Sequence, residues 1–437
     1  MPIPTLQGLQ TALSGLIASQ EAIDTTGHNI TNANTPGYSR QTAVLQTNMP
    51  LPIAAMSPLT GAGGQMGTGV SVTTFTRIRN SYLDAQYRTQ NAALGSASTQ
   101  TNELQQAQSA FDEPSTSGIS SQLSAFWSSW SSLANSPSSE AAREGVISKG
   151  AQLATTLNQL SSQIATVSAQ ATQQYASITG PTGEVRDAAN QIAQLNHQIQ
   201  LSEQAGQQPN DLLDHRDQLL DKLSTLANVT VTKAPNGTDT VSFGDAAQPL
   251  VEGTTVNWPQ ALTKAAGGQL GALLGLSSPT GALASYTTAL DEVAGALAGT
   301  VNALHTSTPF FTGTTAATIK VAVTPTAVQT SSTAAPGGND VAQAIAALRG
   351  GAADRRYAGL IAQVGSDVQT ALDNQSTSQA VVSAIGNQRQ SVSGVSLDEE
   401  MTNLISFQRG YQASARTLTV MDQMLETLIE HTGMAGL

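Results

Sequence analysis

Apolar residues recur at steps of three and four near both ends of the chain. The N-terminal stripe comprises Leu6, Leu9, Leu13, Leu16, Ile23 and Ile30, and the C-terminal stripe comprises Leu397, Met401, Leu404, Tyr411, Ala415, Leu418, Leu425 and Ile429. This spacing places each stripe along one narrow helix face, which a helix cannot bury alone. We therefore expect two terminal helices that pair with each other, so that the ends of the chain meet.

Polar residues interrupt both stripes, at Gln20 and Gly27 in the first and at Gln408 and Asp422 in the second. Such a pair is too imperfect to form a tight coiled coil by itself, and an exposed apolar stripe typically marks an interaction surface. The pattern predicts that other copies of the protein cover the remaining apolar face. Because isolated helices with one narrow stripe are marginal in water, we expect both ends to be largely disordered in the free monomer.

Turn and capping signals bound the two terminal helices. After Ile30 the composition becomes polar, and the Pro36-Gly37 pair suits the central positions of a type II turn. Ser396 and Glu399 fit a capping box at the start of the last helix. The Pro- and Gly-rich residues 41–66 lack periodicity and predict an extended connection, followed by a strand at 70–72.

The interior of the chain is mostly helical in pattern. Helical spacing runs from about residue 82 to 227 with breaks at prolines, and it resumes at about 269, at 283–304 and at 354–392. Residues 229–256 alternate and contain an Asn236-Gly237 turn, and a second β-like piece lies at 319–323. These patterns predict a mainly α fold with paired terminal helices, a long-helix bundle and a small inserted β domain.

Three domains follow from this division. A terminal, coiled-coil-like assembly domain would comprise residues 1–60 and 397–437. A helical bundle domain would comprise 61–228, 269–305 and 341–396, and a small β-rich outer domain 229–268 and 306–340. The two β pieces are separated by a helical stretch, so separate hairpins are the alternative to one domain.

Composition narrows the class of protein. Of the 437 residues only 11% are charged, against an ordinary share of about 25%. The net charge is −12 and the basic residues do not cluster, which argues against a nucleic-acid partner. No apolar run approaches the roughly 20 residues that span a bilayer, so we expect no membrane insertion.

Cysteine is absent, which excludes disulfides, thiolate nucleophiles and Cys-ligated metals. This suits either a cytosolic protein or a chain that is exported unfolded. The first residues carry no basic group before the apolar positions, unlike a Sec signal peptide. If the protein leaves the cell, we expect a route that retains its N-terminus.

The strongest candidate for chemistry is the segment from Asn210 to Asp217, because a helix would put Asp211 and His215 on one face. A solvated helix after Pro209 is the better interpretation, since no second cluster of ligands occurs. We therefore expect neither catalysis nor a metal or cofactor.

Two further motifs are better explained by structure than by chemistry. The Gly-rich segment 61–69 lacks the Gly-Lys-Ser/Thr ending of a phosphate loop and predicts a flexible turn. Phe126, Trp127 and Trp130 lie at helical spacing, which predicts core packing rather than a ligand platform.

Several long motifs resemble those of a known family. Residues 29–41, Asn-Ile-Thr-Asn-Ala-Asn-Thr-Pro-Gly-Tyr-Ser-Arg-Gln, resemble the N-terminal signature of bacterial flagellar rod, hook and hook-associated proteins. Residues 67–70, Arg77 and 82–88 continue the resemblance. Residues 209–219, 301–305, 391–400 and 407–413 resemble the hook-associated members in particular. Residues 229–340 are short for this family, which implies that an outer inserted domain is missing.

The resemblance implies an axial structural protein at the junction between hook and filament. Its expected partners are neighbouring copies of itself, the hook protein, a second junction protein toward the filament and a dedicated export chaperone on the C-terminal helix. It implies an extracellular location in the flagellum, reached by type III export without a cleaved signal peptide. Besides both apolar stripes, the expected assembly residues are Asn34, Pro36, Gly37 and Tyr38.

Two other functions stay open at this stage. A different axial subunit, such as the hook or a distal rod protein, is disfavoured by the long helical middle, because those proteins are richer in β structure. A filament-associated hydrolase or adhesin would use residues 229–340, which offer no acid/base pair beyond Asp239 and Asp245.

Overall fold

The computed structural model describes residues 4–53, 64–333 and 337–431. Two long helices from opposite ends of the chain, α1 (Pro4–Thr31) and α11 (Leu397–His431), lie side by side. Their contact is the most extensive between two helices in the described part of the chain. The predicted pairing of the two ends is confirmed.

An antiparallel ribbon follows α1. Strand β1 (Gln41–Thr47) pairs with β4 (Val70–Arg77), and β2 (Leu51–Ile53) pairs with β3 (Gly64–Met66). The extended connection predicted at 41–66 is therefore a ribbon of paired strands in its described residues, whereas residues 54–63 lie outside them. Most of β1 is exposed on both faces, so the sequence carries no alternation of buried and exposed residues that would have revealed the strand.

Long helices form the body of the molecule. These are α2 (Ser81–Phe111), α3 (Ile119–Asn135), α4 (Glu140–Ile178), α5 (Glu184–Gln204), α6 (Asn210–Leu226), α7 (Gly268–Ser277), α8 (Ala282–Leu304), α9 (Asp340–Ala346) and α10 (Ala352–Ser393). Helices α2 and α10 pack along each other over much of their length. The mainly α fold class is confirmed.

The larger core joins α2, α3, α4, α8, α9 and α10. At its centre Phe126, Trp127 and Trp130 are at most 1% exposed. Phe126 and Trp130 contact each other edge-on, Phe126 makes tilted contacts with Phe310 and Phe311, and Trp130 makes a tilted contact with Phe310, arrangements that aromatic pairs prefer. The prediction that these aromatic residues belong to the core is confirmed.

The β segments do not form one unit. Strands β5 (Val229–Lys233), β6 (Asp239–Phe243), β7 (Val251–Glu252) and β8 (Thr255–Val256) make one four-stranded antiparallel sheet, which packs on α5 and α6 in a second core. Strands β9 (Phe311–Thr312) and β10 (Lys320–Val321) make a separate pair in the larger core. This differs from the single outer β domain expected from the sequence, because Phe310 and Phe311 are drawn into the aromatic core.

Among the helices of the described residues, none combines the length and the apolar character that a bilayer span requires.

His305 closes the loop that contains β9 and β10. Its ring is 1% exposed and lies against Trp130 and Phe310. The backbone N–H of Gln329 donates to Nε2 at 2.8 Å, so the proton is on Nδ1, which donates to the carbonyl of Thr308. One neutral imidazole thus holds both the outgoing and the returning end of the loop.

Acid is expected to weaken this anchor. Burial lowers the pKa of His305 below its ordinary value of 6.5, although the bond to Thr308 opposes this effect. Because the unfolded chain then binds the proton more readily, the contribution of His305 to stability is fully present above the unfolded pKa and is lost as pH falls below it. Thermal melting at about pH 7.5 and about pH 5 should show a larger loss of Tm for the wild type than for His305→Asn. Equal losses would contradict this role.

Candidate assembly site

Small residues line the contact between α1 and α11. On α1, Ala12 and Ala22 are 7% and 1% exposed. On α11, Ser414 lies so close that a Cβ built on Gly15 would be 3.0 Å from its Oγ, and the Met421 side chain lies against Gly8. The small residues of α1 therefore let α11 approach closely.

The predicted apolar stripes divide between half-buried and exposed positions. Half-buried positions are Leu9, Leu16, Ile23, Ile30, Leu404, Tyr411, Leu418 and Leu425, whereas Leu6, Leu13, Leu397, Met401 and Ile429 are exposed. In α11 the half-buried stripe residues alternate with Ser414 and Met421, which lie against Gly15 and Gly8 of α1. In the sequence, the signal for close approach of the two helices is the row of alanines and glycines one position before the N-terminal stripe. Close packing of helices requires small residues at helical spacing.

The residues after α1 form the predicted turn. The Tyr38 N–H donates to the Thr35 carbonyl at 3.2 Å, and Gly37 has a φ of 78°, as the third position of a type II turn requires. Gln218 of α6 donates to the Pro36 carbonyl at 2.8 Å. Asn34, Pro36 and Gly37 are exposed, so this turn presents its outer side to solvent while α6 holds its inner side.

Asn29 fastens the end of α1 to the start of α11. Its side chain is buried, and Nδ2 donates to the Gln41 carbonyl at 2.8 Å and to Glu400 Oε2 at 3.0 Å. Its Oδ1 accepts from the Tyr38 hydroxyl at 2.8 Å and from the Gln41 N–H at 2.9 Å. Burial and the carboxylates of Asp211, Asp214 and Glu400 raise the pKa of Tyr38, so its hydroxyl stays protonated and donates.

Arg40 links four segments of the chain. Its guanidinium makes a bidentate pair with Glu399 at 2.8 and 3.0 Å, and Nε lies 2.7 Å from Glu400 Oε1. Its backbone N–H donates to the Ser393 carbonyl of α10, and its carbonyl accepts from Ile78 after β4. Glu399 therefore pairs with Arg40 rather than serving the expected capping box, because a bidentate guanidinium pair is the stronger interaction.

Asp217 of α6 forms salt bridges with three arginines. Arg77, Arg79 and Arg88 approach its carboxylate at 2.9, 3.1 and 3.0 Å. Burial by itself raises the pKa of Asp217, but the three guanidinium groups outweigh it and hold the pKa at about 2. The carboxylate is therefore ionised at every physiological pH and ties the ribbon and α2 to α6.

Neighbouring carboxylates extend this network in both directions along α6. Asp214 accepts from the N–H and hydroxyl of Ser39 at 2.9 and 2.7 Å. Arg389 of α10 lies 2.9 Å from both Asp84 and Asp221. We call this set the arginine–aspartate hub; it comprises Arg77, Arg79, Arg88, Arg389, Asp84, Asp214, Asp217 and Asp221.

In the candidate segment from Asn210 to Asp217, Asp211 and His215 lie apart from the hub. Asp211 accepts from Gln41 and lies 3.9 Å from His28, and His215 faces a groove beside α5. The described residues contain no group of three His, Cys, Asp or Glu that could hold a metal. The available signal was the spacing of Asp214, Asp217 and Asp221, which puts three carboxylates on one helix face.

Family models match three parts of the chain. Residues 9–38 match the model "Flagella basal body rod protein", and residues 387–430 match "Flagellar basal body rod FlgEFG protein C-terminal". These two matches include most of α1, the turn that follows it and almost all of α11. Residues 104–266 match "Flagellar hook-associated protein FlgK helical domain". The fold and its terminal site thus define an axial structural protein of the bacterial flagellum.

Whole-chain comparison identifies the member. The chain is 30% identical over 511 residues to flagellar hook-associated protein 1 of Bacillus subtilis, covering 99% of each chain. It is 32% identical over 288 residues to the protein of that name from Salmonella typhimurium, covering 65% of this chain and 47% of the relative. The chain belongs to the flagellar hook-associated protein 1 family, and it is a junction structural protein of the flagellar axis.

One solved structure was also compared. The flagellar hook junction protein FlgK from Burkholderia pseudomallei is 26% identical, with a TM-score of 0.45 over 51% of this chain and 43% of that chain.

Removing the central charge of the hub is expected to destabilise the fold. Asp217→Asn leaves three guanidinium groups without their shared partner, which should lower the free energy of unfolding by about 2–3 kcal/mol. Since the folded pKa lies near 2 and the ordinary value is 3.8, this stability is present above pH 3.8 and is lost as pH falls toward 2. Urea unfolding measures the loss, and the exposed Asp373→Asn serves as control. A change below about 0.5 kcal/mol for Asp217→Asn would contradict the role of the hub.

Enlarging a residue in the α1–α11 contact is expected to separate the helices. Ala22 is 1% exposed, so Ala22→Leu should cost about 1–3 kcal/mol of the pairing. Gly27→Ala is the matched control, because a Cβ there meets no atom within 4 Å. Hydrogen exchange of α1 and swimming speed provide the measurements. Unchanged exchange and swimming in Ala22→Leu would show that the helices do not need close approach.

Proposed function

We propose that the chain builds the junction between hook and filament by helical self-assembly, with the α1–α11 pair of each copy covered by its neighbours. One observation carries this proposal: of the side chains described in α11 after Glu400, none is buried. A helix whose side chains are at most half-buried gains limited stability from packing within its own chain. Neighbouring copies would supply the remaining burial.

The outer face of the pair has the chemistry of an interface. Met401, Ile405, Val420 and Met424 of α11 are between 46% and 53% exposed, and Leu13 and Ile17 of α1 are 43% and 47% exposed. Exposed apolar side chains in such number mark interaction surfaces on soluble proteins. We assign the assembly role to these residues together with both apolar stripes, Asn34, Pro36, Gly37 and Tyr38.

The geometry favours contacts between different surfaces of neighbouring copies. The α1 and α11 sides of the pair differ in sequence, so a neighbour that covers one side leaves its own other side open for the next copy. Repetition of such a contact gives an open helical array. The terminal pairs would then line the inner tube, the helical bundle would surround it, and the four-stranded sheet β5–β8 would lie outward.

The family supplies the expected partners. The name of the relatives, hook-associated protein, supports the hook protein as one neighbour. A second junction protein would follow on the filament side. Before assembly, an export chaperone would cover the C-terminal helix, because α11 is the helix with the least burial of its own. We infer an extracellular location in the flagellum, reached by type III export with the N-terminus retained, and a role that needs no catalysis.

Charging the outer face of α11 tests the proposal. Ile405→Lys with Met424→Lys removes apolar area that only a neighbour would bury, so the monomer should keep its helical content while junction assembly is lost. The measurements are circular dichroism of the purified chain and antibody labelling of isolated hook-basal bodies. Label at the distal hook end is expected for the wild type and not for the variant.

Gln412→Lys with Thr417→Lys is the matched control, because both residues are exposed and polar on the same helix. It should assemble and support swimming. Normal filament attachment by the Ile405/Met424 variant, or by a chain without residues 400–437, would refute assembly through α11. Label along the whole hook would indicate a different axial subunit.

A further inference from the structure

Helices α2, α4 and α7 pack against one another in the body and meet around a single carboxylate. Glu103 of α2 lies in a groove with Gln174 of α4 and Gln269 of α7. Apart from Glu103, no charged residue occurs in α2 after Arg88, in α4 after Lys149 or anywhere in α7. These parts of the three helices therefore offer Glu103 no cation.

The carboxylate of Glu103 is buried, but only one of its two oxygens has a partner. The residue is 2% exposed, and its Oε1 accepts from Nε2 of Gln174 at 3.0 Å. Its Oε2 is buried and accepts no hydrogen bond from the described residues. Burying an ionised carboxylate without a cation or a full set of donors costs free energy, whereas the neutral acid is much less costly to bury.

The other buried carboxylates of the described residues are paired with arginine. They are Asp214, Asp239 and Glu400, and each lies between 2.6 and 3.0 Å from an arginine nitrogen. Glu103 is the exception, and the side chains that share its groove are amides and hydroxyls. The fold therefore neutralises its other buried carboxylates with a cation but leaves this one to a proton.

The charge of this junction depends on Glu103. Burial raises the pKa of Glu103 above its ordinary value of 4.5, and the hydrogen bond from Gln174 opposes this effect. Helix α7 has no titratable side chain, and the titratable residue of α4 beside Gln174 is Tyr175. Tyr175 packs against the second core, and burial raises its pKa above 10.0, so its hydroxyl stays neutral.

We propose that Glu103 makes the junction of α2, α4 and α7 a proton-controlled weak point of the body. The ionised carboxylate loosens the junction, and the protonated acid tightens it. This inference goes beyond the proposed self-assembly and does not depend on it.

The sign of the effect distinguishes Glu103 from the other titrating groups. Because the folded chain holds this proton more readily than the unfolded chain, its stabilising contribution is fully present below the unfolded pKa. The contribution is lost as pH rises through the folded pKa. Asp217 and His305 have the opposite sign, since their contributions are lost as pH falls.

Glu103→Gln tests the proposal, because the amide is neutral at every pH and has the shape of the acid. Hydrogen exchange of the α7 amides in the purified chain measures how often the junction opens. At about pH 8 the variant should exchange about fivefold more slowly than the wild type, and the difference should shrink as pH falls toward about 5.

Glu144→Gln is the matched control, because Glu144 is an exposed carboxylate of α4. Its α7 amides should exchange like those of the wild type at each pH. Equal exchange in Glu103→Gln and the wild type at about pH 8 would overturn the proposal. A difference that stays constant between about pH 8 and about pH 5 would overturn it too, because the effect would then not come from the charge.

Gln174→Lys covers the case in which the amide at position 103 disturbs the packing. It supplies a cation where the side chain of residue 174 already lies 3.0 Å from Glu103 Oε1. At about pH 8 its α7 amides should exchange about fivefold more slowly than those of the wild type. Adding Glu103→Gln should remove this gain. Exchange as fast as in the wild type, or faster, in Gln174→Lys would overturn the proposal.

Discussion

The salt bridges of Asp217 fix the relation between the terminal helices and the body. Arg77 is the last residue of β4, Arg79 lies two residues later, and Arg88 belongs to α2. The carboxylate that they share lies on α6. On neighbouring turns of α6, Asp214 binds Ser39 and Asp221 binds Arg389. Ser39 lies in the segment between α1 and the ribbon, and Asp214 holds both its N–H and its hydroxyl. The chain has few charged residues, and the hub brings several of them together at one place.

The α1–α11 pair has the opposite character. Small residues such as Ala12, Gly15 and Ser414 let its backbones approach closely but bury little apolar area. Asn29, Arg40 and Glu400 supply the polar bonds that set its position at one end. Part of each apolar stripe remains exposed. The body of the molecule therefore holds the pair in position, but the pair alone buries little of its apolar surface. This combination suits a subunit which completes its packing only among neighbours.

Different levels of the fold were predictable to different degrees. The long helices and the Pro36-Gly37 turn follow from periodicity and turn chemistry, both of which act within a few residues. The ribbon did not, because β1 is exposed on both faces and shows no alternation. The separation of β9 and β10 from the other strands depends on Phe310 and Phe311 joining the aromatic core formed by α3. The position of β9 and β10 therefore depends on Phe126, which lies almost two hundred positions earlier in the chain.

The helical class, the meeting of the two ends and the resemblance to flagellar axial proteins could be predicted from the sequence, since each depends on local spacing or on a contiguous motif. The individual contacts depend on the tertiary structure. Gly15 packs against Ser414 of the other terminal helix, and the segment that holds Asp211 contributes a charged anchor at Asp214 and Asp217. The physical reason is the same in both cases. How closely two backbones approach, and which arginine reaches which carboxylate, depend on partners that are distant in sequence.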